Sequence, residues 1–174
     1  MLGVIFKLLE EYVYYKKGRS GVDALYSKAL INRDLIHEEI CYPDEMFLKF
    51  FVNAASILNV TPEELQYSFG RFTMRKLTGM YKGIFQSNPD MRSFVRSIPA
   101  IHTSFPTLKP GKKWISVSED GDAYVLNYVS PNKLKDFLIG LIDEAFKVYG
   151  VQGHTEELPS DGDIMRVKVC FDKV

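Results

Sequence analysis

Along the first turns of the chain the apolar residues Val4, Ile5, Leu8, Leu9, Tyr12 and Tyr15 recur every three or four positions, the spacing that lines one face of a helix. The GRSG stretch from Gly18 to Gly21 is expected to close that helix, and a second is expected from Val22 to Leu30, followed by a polar loop through Asn32 and Asp34. Tyr42-Pro43-Asp44-Glu45 reads as a helix start: proline suits the first turn and the acidic side chains favour its free amides and dipole. It launches Met46 to Leu58. TPEEL from Thr61 carries a hydroxyl cap, a proline at the first helical position and Glu64 three residues on, a capping signature for a helix running past Gly70 towards Leu77. A shorter helix over Asp90 to Ile101 places Met91, Phe94, Val95, Ile98 and Ile101 on one face and ends at His102.

After Pro106 the period changes. Trp114 to Ser118, Ala123 to Val129 and Ile164 to Phe171 read as strands separated by EDGD, SPN and PSDGD turns, the pattern of antiparallel hairpins. Between the second and third of these, Leu134, Phe137, Leu138, Leu141, Ile142, Ala145 and Phe146 form a helical stripe within Lys133 to Tyr149. The expected fold class is α+β: a helical N-terminal lobe over 1–60, then 61–174 with the helix that ends at His102 and an antiparallel sheet of about four strands carrying helices.

Composition narrows the function classes. With 174 residues, 46% of them hydrophobic and 13% aromatic, the chain can bury one good core or two lobes sharing an interface. The 22 basic and 22 acidic residues cancel, which leaves no electrostatic footprint for nucleic acid or an anionic membrane. The charges of Lys7, Glu10 and Glu11 interrupt the apolar start, so it does not read as a membrane span. The two cysteines, Cys41 and Cys170, fit no metal-ligand spacing and suggest unpaired thiols in a reducing compartment, so the expected location is cytoplasmic.

Catalytic constellations are scarce: there is no nucleophile elbow and no Gly-rich phosphate loop after a strand, so an enzyme is not expected. The acidic pairs Glu10-Glu11, Glu38-Glu39, Glu63-Glu64 and Glu156-Glu157 read as solvated surface. Of the three histidines, His37 and His154 lie in polar, loop-like surroundings. His102, at the end of an apolar stripe, is the candidate ligand. Taken alone, a histidine in that position is more often a hydrogen-bonded core or cap residue than a ligand. A haem asks for one axial imidazole, a large apolar pocket and polar or cationic partners for its propionates.

The order and spacing of MLGVIF, YPDEMFLKFF, VTPEELQYSFGRF, MRSFVRSIPAIH and YVSPNKLKDFLIGLIDEAFKVYG resemble the haem nitric oxide/oxygen binding (H-NOX) domains, a family that includes the sensor module of soluble guanylate cyclases. The resemblance covers nearly the whole chain. It implies a haem b pocket between the lobes, with His102 as the proximal iron ligand. It also implies that the family's Tyr-x-Ser-x-Arg propionate motif falls on Tyr128, Ser130 and Asn132, where an amide replaces the arginine. An amide has neither the charge nor the bidentate fork of a guanidinium. Lys133 offers a point charge one residue on.

On the gas side the resemblance places Ile5, Leu9, Thr73, Leu77, Phe137 and Leu141. Phe137 stands where oxygen-binding members carry a tyrosine donor, so an apolar pocket selecting nitric oxide and carbon monoxide over oxygen is expected, with the Thr73 hydroxyl bonded back to its own helix. Pro110 corresponds either to a proline that presses on the haem or to a simple turn residue. The resemblance further implies that weakening of the bond between iron and His102 releases the preceding helix. The output would then pass to a signalling protein such as a histidine kinase, cyclic-dinucleotide enzyme or chemotaxis receptor. The other reading, motivated by Asn132, is a haem-free module that binds another apolar ligand or a protein partner.

Overall fold

The computed structural model describes residues 1–104, 115–129 and 134–172. Helix α1 spans Gly3–Ala29 and is broken at Gly18, whose φ of 65° and ψ of −164° are not helical. The GRSG stretch therefore kinks one long element instead of separating two, because glycine takes the positive φ and the chain re-enters the helix directly. Asn32 accepts from the Asp34 amide to start a 3-10 turn over Arg33–Leu35. Helix α2 follows at Asp44–Leu58, with Asp44 and Glu45 in its first turn. Helix α3, Pro62–Met80, opens on a complete capping box between Thr61 and Glu64. Helix α4, Lys82–Ser87, buries no residue, which is why no apolar stripe announced it. Helix α5 runs Met91–Ser104, one turn further than the apolar pattern, so His102 lies inside the last turn.

Strands β1 (Ile115–Asp120) and β2 (Ala123–Val129) form a hairpin, helix α6 (Lys135–Val148) crosses over, and β3 (Gly153–Asp161) and β4 (Ile164–Phe171) complete the sheet. All pairings are antiparallel in the order β1-β2-β4-β3. The sequence pattern names three of these strands. It misses β3 because GHTEELPSD has almost no apolar alternation and contains Pro159. An edge strand tolerates both features, and a register shift falls between Leu158 and Asp161. This fold is α+β, with helices first and a four-stranded antiparallel sheet after them.

Two apolar clusters build the core. The first joins α1, α2 and the front of α3 around the fully buried Phe6, Leu9, Phe50, Leu65 and Phe69. The second joins α5, α6 and the inner face of the sheet around Val95, Leu126, Ile142 and Val167. Burying each of the larger side chains contributes roughly 1.5–3 kcal/mol. Helices α3 and α6 belong to both clusters, and they touch backbone to backbone. A Cβ built on Gly70 would lie 2.3 Å from the Phe137 carbonyl oxygen, and one built on Gly140 would lie 2.2 Å from that of Tyr67.

The same two helices share an ion cluster. Glu144, 4% exposed, accepts from Arg71 Nε at 2.8 Å and Arg75 Nη1 at 2.9 Å. Burial pushes the Glu144 carboxyl up, but the Arg71 hydrogen bond and the charges of Arg75 and Arg71 outweigh it and hold the group below its ordinary value. A second acidic group corrects the sequence reading. Glu10 is 9% exposed, accepting from Tyr26 Oη at 2.6 Å and from Arg33 Nη2, because it faces the second half of α1 and the 3-10 turn that follow the kink, not solvent. The other acidic pairs, and Glu11 itself, are exposed. Among the described residues no helix is long and apolar enough to cross a membrane.

Two outcomes follow from the α3–α6 contact. Gly140→Ala should lower the free energy of urea unfolding by about 1–3 kcal/mol, the usual cost of overpacking, because the obstructing atom is backbone. Alanine's helix propensity works the other way by only about 1 kcal/mol, so a protein unchanged or stabilised by this substitution would mean the helices part freely. For Glu144 the folded pKa is depressed, so its contribution is complete above the unfolded value of about 4.3 and is lost as pH falls through the lower folded value. Glu144→Gln should cost about 1–3 kcal/mol at pH 7, discounted for the partly exposed arginines, and should flatten the acid limb of the stability profile.

Candidate functional site

The site is assembled from α5, β2 and the α3–α6 seam. On α5, Met91, Phe94, Val95 and Ile98 are buried at helical spacing against the second cluster. They fix the rotation of the helix. Ile101 continues this stripe half-buried, and His102 follows it. Pro99 sits inside the helix and removes the amide that would bond back to Val95, which loosens the last turn where the histidine stands.

His102 Nδ1 is buried and has no hydrogen-bond partner among the described residues. Burial holds the imidazole below its ordinary pKa, so near neutral pH the ring is uncharged and one nitrogen keeps a lone pair, the form that binds metals. The Tyr128 ring on β2 meets it edge-on with centroids 6.3 Å apart and planes at 62°. Tyr128 is held by its pairing with Ile115 on one side and Met165 on the other. Ser130, Asn132, Lys133 and Pro110 lie outside the described residues.

The six positions expected on the gas side lie on α1, α3 and α6. Leu9 belongs to the first cluster, Ile5, Leu77 and Phe137 pack half-buried on it, and Leu141 packs half-buried on the second. Leu9 is fully buried, and Thr73 is buried on α3 at 1% exposed. Phe137 also stacks in a tilted contact on Phe69, centroids 5.3 Å apart. Thr73 and Leu77 share the face of α3 that carries Gly70, while Phe137 and Leu141 flank Gly140 on α6, so the glycine contact draws these four positions to one seam.

Thr73 departs from expectation. Its buried Oγ1 has no hydrogen-bond partner among the described residues, where a bond back to its own helix was predicted. Burial without a partner costs about 1–3 kcal/mol, so the hydroxyl remains available to a donor or acceptor placed in the seam. The sequence reading also passed over Gly70, Gly140 and Glu144, which position the seam without lining it. The available signal was an isolated glycine inside each of two apolar helices, which usually has a packing reason.

The remaining histidines lie elsewhere. His37 is exposed after the 3-10 turn, and His154 is exposed on β3, a strand and not a loop. Both cysteines are free thiols.

Comparison with known proteins places this geometry. Among solved structures the chain is similar to the S. oneidensis H-NOX protein in the Fe(II)NO ligation state, with 20% identity, a TM-score of 0.85 and coverage of 99% of this chain and 100% of that one. A variant of the Fe(II) unliganded H-NOX protein from K. algicida is 17% identical with a TM-score of 0.84, covering 99% and 97%. A Cs H-NOX variant carrying 4-cyano-L-phenylalanine is 18% identical, also at 0.84, covering 99% and 97%. These likenesses establish the fold. A comparison with curated proteins returns no match. The family profile described as Haem-NO-binding (HNOB) matches residues 2–157, and the chain therefore belongs to the Haem-NO-binding, or H-NOX, family of haem-binding gas-sensor domains.

Proposed function

We propose that the chain is a gas sensor and not an enzyme, holding haem b with His102 as the proximal iron ligand and responding to nitric oxide and carbon monoxide. The observation that carries this reading is the buried His102 nitrogen near the end of α5, which has no partner among the described residues. A neutral imidazole in an apolar setting, with an aromatic wall at Tyr128, fits the donor set of haem iron. Haem, when bound, supplies a ferrous centre that takes up a diatomic gas.

The chain's own residues do the rest. His102 offers its lone pair and ties the iron's position to α5. Tyr128 and Ser130 would take the propionates, with Asn132 contributing a neutral amide and Lys133 a point charge where the family uses arginine. Phe137 has no hydrogen-bond donor and Ile5, Leu9, Leu77 and Leu141 add none, which favours gases that bind without one; the Thr73 hydroxyl is the one donor among the six positions. The nitric oxide complex of the similar S. oneidensis protein supports that choice. Any displacement of His102 is passed along α5, which packs on β1, and from there to the sheet. The output is read by a separate signalling protein such as a histidine kinase, cyclic-dinucleotide enzyme or chemotaxis receptor, in a two-state change that the gas biases.

Two measurements test this reading. Protein expressed with ample haem should show a Soret band, which His102→Gly abolishes and free imidazole restores. Asn132→Arg should slow haem loss to apomyoglobin. No Soret band in the parent, or an identical one in His102→Gly, would favour the haem-free module suggested by Asn132. In the gas test, the ferrous protein should bind nitric oxide and carbon monoxide but not hold oxygen in air. Phe137→Tyr should slow oxygen loss about tenfold, the worth of one hydrogen bond. Stable oxygen binding by the parent protein would overturn the gas assignment, and its disappearance in Thr73→Val would name the free hydroxyl as the donor.

A further inference from the structure

We propose that the outer face of the β3–β4 pair holds a second metal site, with a donor set that suits zinc, formed by His154, Glu156 and Cys170. The sheet puts these residues together. His154 and Glu156 are two apart on β3 and so project from one face, and the register sets His154 directly opposite Cys170 on β4. On β4, Met165, Val167 and Val169 are buried in the core face, which turns Arg166, Lys168 and Cys170 outward. Thr155, between the two β3 ligands, turns inward and donates to Asp143 of α6 at 2.9 Å. The cluster is thus on the side of the sheet away from α6 and shares no residue with the His102 site.

Its geometry is that of a metal site before contraction. One ligand atom from each of the three residues lies within 4.8 Å of the other two, and His154 Nε2 is already 3.2 Å from Glu156 Oε1. Tetrahedral zinc with its sulfur near 2.3 Å and nitrogen or oxygen near 2.0–2.1 Å needs ligand atoms about 3.3–3.8 Å apart. The His154 and Glu156 side chains are 57% and 51% exposed, so small rotations close the gap without repacking.

The surroundings match as well. Asp172 Oδ1 stands 3.5 Å from the other ring nitrogen of His154, Nδ1. A metal-bound histidine usually directs its second nitrogen to a carboxylate in this way, which fixes the ring and the tautomer. Lys168, the cross-strand neighbour of Glu156, is drawn off to Asp120 at 2.8 Å, so its charge is committed on the far side. A nitrogen, a sulfur and a carboxylate oxygen suit zinc and exclude the oxygen-only preference of calcium and magnesium. Water completes the fourth position. Bound there, the ion ties the edge strand to β4, and through Thr155 and the Lys135–Glu157 pair to α6.

The test is calorimetric titration of the tag-free full chain with zinc chloride, with and without haem, together with zinc-edge X-ray absorption. One equivalent should bind in both forms, with one sulfur near about 2.3 Å in the shell. His154→Ala and Cys170→Ser should each weaken binding at least tenfold, and Asp172→Asn by about tenfold. Cys41→Ser and His37→Ala should leave it unchanged. These surface substitutions touch no core contact, so folding is not at stake. A shell without sulfur, absence of one-equivalent binding, or affinity unchanged in Cys170→Ser or His154→Ala would overturn the assignment.

Discussion

The backbone contact between α3 and α6 at Gly70 and Gly140 governs the geometry of the whole molecule. A Cβ at either position would fall 2.2–2.3 Å from a carbonyl oxygen of the other helix, so a side chain there would force the two helices apart. That separation would move Thr73 and Leu77 on one helix away from Phe137 and Leu141 on the other. Both apolar clusters are anchored on these two helices, so the contact sets how the N-terminal helices sit on the sheet. Glu144, one turn beyond Gly140 and bridged to Arg71 and Arg75, holds the same crossing with charge where the glycines use shape.

Against that fixed crossing, α5 is the element with latitude. Its buried stripe ends at Ile98, Pro99 removes one hydrogen bond, and the last turn carries a histidine whose inner nitrogen is unsatisfied among the described residues. A rigid seam facing a loosened turn suits a sensor. Of the six positions expected on the gas side Thr73 alone is polar, and its hydroxyl is buried without a partner among the described residues.

Much of this was legible in the residue pattern. Periodicity located α2, α3, α5, α6 and three strands, because each buries one continuous face and its sequence must repeat accordingly. The TPEEL cap appeared as a full capping box because its hydrogen bonds are local. Helix α4 and strand β3 went unseen: one buries nothing and the other lies at a sheet edge with Pro159, so neither needed an apolar signature. Glu10 looked solvent-facing because adjacency to Glu11 says nothing about rotation around the helix axis. His154 looked like a loop residue for the same reason that β3 was missed.

The sequence by itself determined helices α2, α3, α5 and α6, the capped start of α3, and that His102 follows an apolar stripe, since these depend on residues within a few turns of one another. It also determined the family, through motifs spread in fixed order along the chain. Only the tertiary structure decided that Gly70 and Gly140 let the backbones of α3 and α6 meet, that Glu144 is clamped by two arginines, that Thr73 lacks a partner among the described residues, and that His154, Glu156 and Cys170 converge on one face. Each of those depends on contacts between residues far apart in the chain or on what surrounds a buried group, and packing and strand register fix them where local pattern does not.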